Sequence, residues 1–305
     1  MAAKGKYTIA VIGCGLIGAS WAALFAKAGG DRVLAWDPDD DACRSFPQRF
    51  EKAVGQLREL GHTETGSVTL AASLSEAVGE ADWIQENAPE SIDIKSALYS
   101  EIEQAASPRA ILASSTSSLL WSDLARSLTR PDRFLLAHPF NPPHLVPLVE
   151  LYAPDAALLD RADAFYRRLD RVPVRLKREV PGHIAGRLAS ALWREAVSIV
   201  AEGVADVAEV DRALVHGPGL RWSVVGAHMG YHLGGGAGGI EHYLKHLGPS
   251  QERRWSTLGT PRLSPDTCDK LIAGITAEAA GRSVEDLEAE RDRQLMAILK
   301  RRDRL

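Results

Sequence analysis

The sequence predicts an α/β fold in which a doubly wound, mostly parallel sheet is followed by an all-helical C-terminal region. Two observations support this prediction. Short apolar runs alternate with helical patterns up to about residue 180, and from Ile184 onward apolar residues recur at helical spacing. The 305 residues are enough for two domains, which we place at residues 1–180 and 181–305.

The first predicted strand leads through a glycine-rich turn into a helix, in the stretch YTIAVIGCGLIGASWAALFAKAGG. Gly13 permits a tight turn, Gly15 lets backbone approach a pyrophosphate, and Gly18 lets the helix pack close to the strand. The N–H groups at the start of the helix attract phosphate. This pattern is typical of a Rossmann-type dinucleotide site, and the alternative is an ordinary glycine turn. The predicted cofactor residues here are Gly13, Gly15, Leu16, Ile17, Gly18 and Asp37.

The second predicted strand, DRVLAWD, ends at Asp37, which lies 19 residues beyond Gly18. A carboxylate at this offset bonds the ribose hydroxyls of a dinucleotide. Three further aspartates, at positions 39–41, follow it. Because this acidic patch repels a 2′-phosphate, the sequence favours NAD over NADP.

The strand–helix alternation continues through the first half. The further predicted strands lie in ADWIQENAPE, AILASSTSSL, RFLLAHPFN, VPLVELYAP and VPVRL. In open parallel sheets, ligands bind beyond the carboxyl ends of the strands. Ser117, His138 and Glu150 fall at or near such ends, which favours a functional site.

The residue types at these strand ends suit alcohol oxidation beside a nicotinamide. His138 can take the hydroxyl proton near neutral pH, and Glu150 can fix its tautomer if a hairpin-like return brings the two together. Ser117 can bond the reacting oxygen, and Asn141 can do the same or hold the histidine. The alternative is a structural core histidine with a solvated glutamate at a strand end.

Four motifs, SSTSSL, AHPFNP, PLVEL and PGHIAGRL, stand in this order along the chain. Together they resemble the 3-hydroxyacyl-CoA dehydrogenase family, which reads S-x-T-S-S-L, H-F-F-N-P, a glutamate shortly after, then P-G-F-x-x-N-R. The resemblance implies that His138 is the general base, that Glu150 orients it, and that Ser117 contacts substrate. It also implies that Glu90 and Lys95, in APESIDIK, lie on the cofactor side.

Two departures from the family pattern bear on the substrate. Gly186 stands where the family has the asparagine of P-G-F-x-x-N-R, and HPFNPP replaces H-F-F-N-P. The motif HPFNPP resembles that of family branches that act on small free hydroxy acids or carbonyl compounds. L-carnitine is the substrate we expect first, and L-gulonate, an aromatic polyketide or a CoA ester is the alternative. A non-catalytic, NAD-binding structural or sensory protein is the alternative of another class.

The second half predicts helices in IAGRLASALWREAVSIVAEGVA, DVAEVDRALVHG, CDKLIAGITAEAAG and SVEDLEAERDRQLMAILKRR. The resemblance implies that these helices form a homodimer. Aromatic side chains on segments that could face a cleft can bind a quaternary ammonium group by cation–π attraction, and core packing is the alternative. The predicted substrate residues are Phe140, Gly186, Trp193, Trp222 and Tyr231.

Composition excludes several other classes. A net charge of −4 and a pI of about 6.2 do not suit a nucleic acid or an anionic membrane as partner. No apolar run reaches the roughly 18 residues of a membrane span, and three scattered cysteines do not form a disulfide framework. His228 and His232 lie four residues apart, as do His242 and His246, but there is no H-E-x-x-H motif and no cysteine near, so we predict no metal. We expect a cytoplasmic enzyme with a small hydroxy or keto substrate.

Overall fold

The computed structural model describes residues 6–302. Its first part is built on an eight-stranded sheet with the strand order β3-β2-β1-β4-β5-β6-β7-β8. Every neighbouring pair is parallel except β6 with β7, which is antiparallel. The strands are β1 (Thr8–Ile12), β2 (Arg32–Trp36), β3 (Ser67–Leu70), β4 (Trp83–Glu86), β5 (Ile111–Ser114), β6 (Phe134–Pro139), β7 (Leu148–Tyr152) and β8 (Val172–Arg175).

Helices cover both faces of this sheet. They are α1 (Leu16–Leu24), α2 (Asp40–Glu59), α3 (Leu74–Val78), α4 (Ile92–Ala105), α5 (Trp121–Leu124) and α6 (Ala156–Arg167). Alternate residues of β1 point to opposite faces, so that Ile9 packs in one core with Trp21, and Ala10 packs in the other with Tyr99. Burial on both faces explains why the strands read as continuous apolar runs. The predicted fold class is confirmed.

Strand β3 is an element that the sequence analysis did not predict. It lies at one edge of the sheet, and its four residues are exposed or half-buried. An edge strand of this kind has no continuous apolar run, because one side of it faces solvent.

The aspartates that follow β2 begin a helix. The side chain of Asp39 accepts a hydrogen bond from the N–H of Asp41 and is the N-cap of α2, whose first turn carries Asp40 and Asp41. Negative side chains at this end stabilise a helix through its dipole. The acidic patch therefore has a structural role beside the electrostatic role that the sequence suggested.

The chain forms two compact units. Of the described residues, those up to Arg187 and those from Glu290 onward form the first unit, and Leu188–Ala289 form the second. The remaining helices are α7 (Ala185–Ala201), α8 (Val207–His216), α9 (Pro218–Trp222), α10 (Ala227–Gly234), α11 (Gly239–Trp255), α12 (Pro265–Ala279) and α13 (Val284–Arg302). Asp206 caps α8, as predicted. The division at residue 180 stays a prediction.

The end of α13 packs within the first unit. Asp292, which is 3% exposed, accepts a hydrogen bond of 2.9 Å from the amide of Gln56 in α2. Met296 is buried, and the ammonium of Lys300 lies 3.6 Å from the carboxylate of Glu59. Within residues 6–302, no helix is both long and apolar enough to cross a lipid bilayer.

Candidate active site

The glycine-rich turn joins β1 to α1 and leaves room beside its backbone. Gly13 has a φ of +99°, and a Cβ there would lie 2.8 Å from the carbonyl oxygen of Asn87. A Cβ on Gly18 would lie 1.8 Å from the carbonyl oxygen of Gly13. At Gly15, by contrast, a Cβ would meet no heavy atom of the described chain within 4 Å. The first and third glycines are thus required by the fold, whereas the second keeps a space open.

This open space lies at the start of α1, where residues 15–17 carry N–H groups that need acceptors. Gly15 is the N-cap and, in the described structure, α1 has no side-chain cap. Leu16 is 47% exposed, and Ile17 lines a cavity at the same edge of the sheet. A phosphate group suits both the space and the free donors, so the residues fit the pyrophosphate of a dinucleotide.

Asp37 follows β2 and holds the glycine-rich turn. Its Oδ2 atom accepts a hydrogen bond of 2.7 Å from the N–H of Cys14, and its Oδ1 atom accepts one of 2.9 Å from the N–H of Asp39. The carboxylate therefore stands beside the turn, where the ribose of a bound dinucleotide would lie.

A cavity of about 380 Å³ opens at the carboxyl ends of β4, β5 and β6. It brings together four predicted catalytic or substrate residues with two predicted cofactor residues, Ile17 and Glu90. Its lining is Ile17, Asn87, Ala88, Glu90, Ser115, Ser117, His138, Pro139, Phe140 and Asn141.

His138 and Glu150 form a buried pair at this cavity. They are direct partners in the antiparallel register of β6 and β7, and Nδ1 of His138 lies 2.9 Å from Oε2 of Glu150. His138 is 7% exposed and Glu150 is 2% exposed. The carboxylate accepts only, so Nδ1 carries the proton and Nε2 of the neutral ring keeps a lone pair.

The second oxygen of Glu150 anchors the chain at the start of α7. Its Oε1 atom accepts hydrogen bonds from the N–H groups of Ile184 at 2.8 Å and Ala185 at 2.9 Å. Burial alone would raise the pKa of Glu150, but these bonds and the bond from His138 outweigh it and hold that pKa below its ordinary value. Glu150 is therefore a carboxylate at neutral pH.

Glu90 shapes the turn that carries Ser117. Its Oε1 atom accepts hydrogen bonds from the hydroxyls of Thr116, Ser117 and Ser118 and from two backbone N–H groups of that turn, at 2.7–3.1 Å. Burial opposes ionisation, yet the bonds from Thr116 and Ser118 hold the pKa of Glu90 below its ordinary value. The hydroxyl of Ser117 is thereby fixed at the cavity.

Lys95 lies behind this wall of the cavity. Its ammonium is 2.6 Å from Oε1 of Glu86 and 2.9 Å from the carbonyl oxygen of Ala88, and its side chain is 1% exposed. Lys95 thus holds the loop at Ala88, which lines the cavity, while its charge is paired with Glu86.

Several residues at the site were missed by sequence reasoning. Asn87 and Ser115 line the cavity and are joined by a hydrogen bond of 2.7 Å. His183 is 2% exposed, its Nε2 atom lies 3.1 Å from the carbonyl oxygen of Thr116, and its ring centroid is 5.1 Å from that of His138. The signal for His183 was present, because PGHIAGRL has a histidine where the family motif has phenylalanine.

The remaining predicted residues divide between the two units. The ring of Phe140 stands edge-on to His138 with 6.2 Å between centroids, and Gly186 has open space where a side chain would start. Trp193, Trp222 and Tyr231 belong to the second unit, where they are 57%, 40% and 41% exposed. The site geometry is thus carried by the first unit.

Comparison with known proteins decides the family. A model described as "3-hydroxyacyl-CoA dehydrogenase, NAD binding domain" matches residues 8–180, and one described as the C-terminal domain of the same family matches residues 182–260. The chain belongs to the 3-hydroxyacyl-CoA dehydrogenase family. The predicted resemblance is confirmed, and this member of the family is an NAD-dependent dehydrogenase.

Relatives within the family match almost the whole chain. An L-carnitine dehydrogenase of Nocardiopsis dassonvillei is 41% identical over 297 residues, which cover 95% of this chain and 90% of the relative. An L-carnitine dehydrogenase of Streptomyces griseus is 42% identical over 305 residues, covering 97% and 90%. Among solved structures, 5-formyl-3-hydroxy-2-methylpyridine 4-carboxylic acid 5-dehydrogenase, an NAD-dependent dismutase, superposes with a TM-score of 0.78 at 26% identity, covering 96% and 97%.

Proposed function

We propose that this dehydrogenase oxidises a small free 3-hydroxy acid to the 3-keto acid, and that its substrate is L-carnitine. The buried His138–Glu150 pair beside the 380 Å³ cavity is the observation that carries the reaction. The two L-carnitine dehydrogenases named above support the substrate, because each matches at least 95% of the chain.

We propose that NAD is preferred to NADP. Gly13, Gly15 and the N–H groups of Leu16 and Ile17 would hold the pyrophosphate, and Asp37 would bond the ribose hydroxyls. A carboxylate at Asp37 repels a 2′-phosphate. When bound, NAD supplies the acceptor for the hydride that leaves the carbinol carbon.

The side chains of the site would carry the proton. His138 accepts the hydroxyl proton at Nε2, while its Nδ1–H donates to Glu150, and that carboxylate stabilises the imidazolium that results. The hydroxyl of Ser117, which donates to Glu90 in the structure, would turn to donate its hydrogen to the reacting oxygen, and Asn141 lines the same cavity. In the reverse direction His138 returns the proton to the forming alkoxide.

The trimethylammonium group of L-carnitine is a cation that aromatic rings bind by cation–π attraction. Trp193, Trp222 and Tyr231 expose ring surface in the second unit, and we propose them as the residues that attract this cation. A desolvated cation–π contact contributes on the order of 2 kcal/mol, so replacing one of these rings by alanine should raise KM about 30-fold.

We also propose a homodimer formed through the helices of the second unit. Large apolar side chains are exposed there, among them Leu188, Val215, Leu220, Val224 and Ile272. Exposed apolar patches of this kind mark protein interfaces. Sedimentation or light scattering of the purified protein measures the mass, and a monomer at micromolar concentration contradicts the dimer.

The deciding experiment follows NADH absorbance with NAD and L-carnitine at mildly alkaline pH. D-carnitine, L-gulonate and a 3-hydroxyacyl-CoA serve as comparison substrates, and NADP as comparison cofactor. We expect turnover with L-carnitine and NAD at a kcat/KM at least tenfold above every other combination. Protein that binds NADH but turns over none of these alcohols contradicts the substrate and directs the search to ketone reduction.

A further inference from the structure

His183 connects the two halves of the candidate site. Its Nε2 atom lies 3.1 Å from the carbonyl oxygen of Thr116, which directly precedes Ser117. Its ring lies 5.1 Å from that of His138, at an angle of 46°. The N–H groups of the next two residues, Ile184 and Ala185, donate to Glu150. One imidazole therefore contacts the serine turn on one side and the His138–Glu150 pair on the other.

The protonation of His183 follows from these contacts. A carbonyl oxygen only accepts, so Nε2 must carry a hydrogen. Burial lowers the pKa of His183, and nearby His138 lowers it further, although the bond to Thr116 and the carboxylates of Glu150 and Glu90 oppose them. At neutral pH the ring is thus uncharged, with its hydrogen on Nε2.

His183 also holds an uncommon backbone conformation. Its φ is +49°, in the left-handed region that histidine enters more readily than most side chains. Its N–H donates to the carbonyl oxygen of Val180 at 3.1 Å. This tight turn directs the side chain back toward the sheet, so the ring position is fixed by backbone as well as by Thr116.

We propose that His183 is a positioning residue for the dehydrogenase reaction. Its neutral ring fixes the turn that carries Ser117 relative to the strand pair that carries His138 and Glu150. The hydroxyl of Ser117 and the imidazole of His138 can therefore contact the same substrate oxygen. This role rests on the proposed function. Because His183 stays uncharged, only the ring of His138 becomes positively charged when His138 accepts the substrate proton.

Two substitutions separate the hydrogen bond from the bulk of the ring. His183→Phe keeps a ring of similar size but lacks the donor, whereas His183→Gln has an amide N–H that reaches about as far as Nε2. An error of about 1 Å in a reacting group costs on the order of 100-fold in rate. We expect kcat to fall 10- to 100-fold in His183→Phe and to recover to within about fivefold of the unsubstituted enzyme in His183→Gln.

The affinity for NADH distinguishes positioning from general damage. In both variants we expect the Kd for NADH, measured by fluorescence titration, to change less than twofold. His144→Gln is the matched control, since His144 is another buried histidine, 5% exposed, and bonds Ser20 and Gln56 outside the cavity. This control should lose stability and keep its kcat.

A second measurement needs no substrate. Nitrogen-15 spectra of histidine-labelled protein report which ring nitrogen carries the hydrogen, and we expect His183 to be neutral with its hydrogen on Nε2 at pH 7. A kcat in His183→Phe within twofold of the unsubstituted enzyme overturns the proposal, as does equal loss in both variants or a charged His183. If no substrate is turned over, the proposed function fails while the spectrum still tests His183.

Discussion

The Nδ1 atom of His138 lies 2.9 Å from the Oε2 atom of Glu150, and the two residues face each other directly across β6 and β7. Directly opposed residues of an antiparallel pair have Cβ atoms roughly 4.5–5.5 Å apart, so strand register alone brings the two side chains together. A slip of one residue would turn Glu150 to the opposite face of the sheet. The pair is therefore set by backbone geometry.

Substitution of either partner should strongly reduce kcat and leave the affinity for NADH almost unchanged. We expect His138→Asn to lower kcat by about 10²–10⁴-fold, the range that general acid–base catalysis contributes, and Glu150→Gln to lower it about 10²-fold. The Kd for NADH should stay within twofold in both. Steady-state kinetics and fluorescence titration measure these values.

The double variant is the control for this pair. If Glu150 acts through His138, then His138→Asn with Glu150→Gln should be about as slow as His138→Asn alone. A rate loss equal to the product of the two single losses contradicts the assignment, as does normal turnover in His138→Asn.

The second glycine of the turn should matter for the cofactor and not for the fold. A Cβ on Gly15 meets no described atom within 4 Å, so Gly15→Ala should keep its melting temperature while its Kd for NAD rises at least tenfold. Gly55→Ala is the matched control, because that site in α2 has equal space. It should stabilise the protein by about 0.5–1 kcal/mol and leave NAD affinity unchanged. Equal affinities in the two variants would argue against a pyrophosphate at Gly15.

The charge of Asp37 should set the choice between NAD and NADP. Asp37→Asn keeps an oxygen that can accept the N–H of Cys14 but removes the charge. We expect the ratio of kcat/KM for NADP to that for NAD to rise about 10- to 100-fold. Thermal melting is measured alongside and should fall slightly, because asparagine has one oxygen for the two N–H groups, of Cys14 and Asp39, that the carboxylate accepts. An unchanged ratio places the discrimination elsewhere.

The stability of the protein should depend on pH through His144. Burial lowers the pKa of His144 to about 4 from an ordinary value of 6.5, chiefly through loss of water around the ring. The unfolded chain therefore binds a proton that the folded chain does not between these values. The free energy of unfolding therefore falls by about 3 kcal/mol, at 1.36 kcal/mol per pH unit of pKa shift, as the pH drops from 6.5 to about 4. This stability is present in full above pH 6.5.

Urea unfolding at a series of pH values measures this contribution. In His144→Gln, the loss of stability between about pH 6.5 and 4.5 should be smaller than in the unsubstituted protein. Glu150 and Glu90 have lowered pKa values, so their contributions are lost at lower pH, as the pH falls through those values below 4.5. Identical pH dependence in the two proteins contradicts the role of His144.

The parts of the fold predicted from sequence are those with a local signal. The turn from Gly13 to Gly18 has a fixed spacing, and the strands that end near His138 and Glu150 are continuous apolar runs. Both kinds of signal can be read within a window of twenty residues. The fold class and the family followed from them.

The parts that were missed depend on contacts between distant segments. His183 meets the carbonyl of Thr116 across 67 positions of sequence, and Asn87 meets Ser115 across 28. Strand β3 has exposed side chains and no apolar run. Local sequence patterns do not predict such contacts, because the order of the strands that brings these residues together forms only when the whole first unit folds.

The end of α13 has a consequence for how the protein is made. The first unit is interrupted by Leu188–Ala289, so its residues from Glu290 onward, Asp292 and Met296 among them, emerge from the ribosome only after the second unit. Until then Gln56 in α2 lacks its carboxylate partner, Asp292. A chain cut short before residue 290 would keep its cavity residues yet lose the hydrogen bond between Gln56 and Asp292, so α13 makes translation past the second unit a condition for a complete first unit.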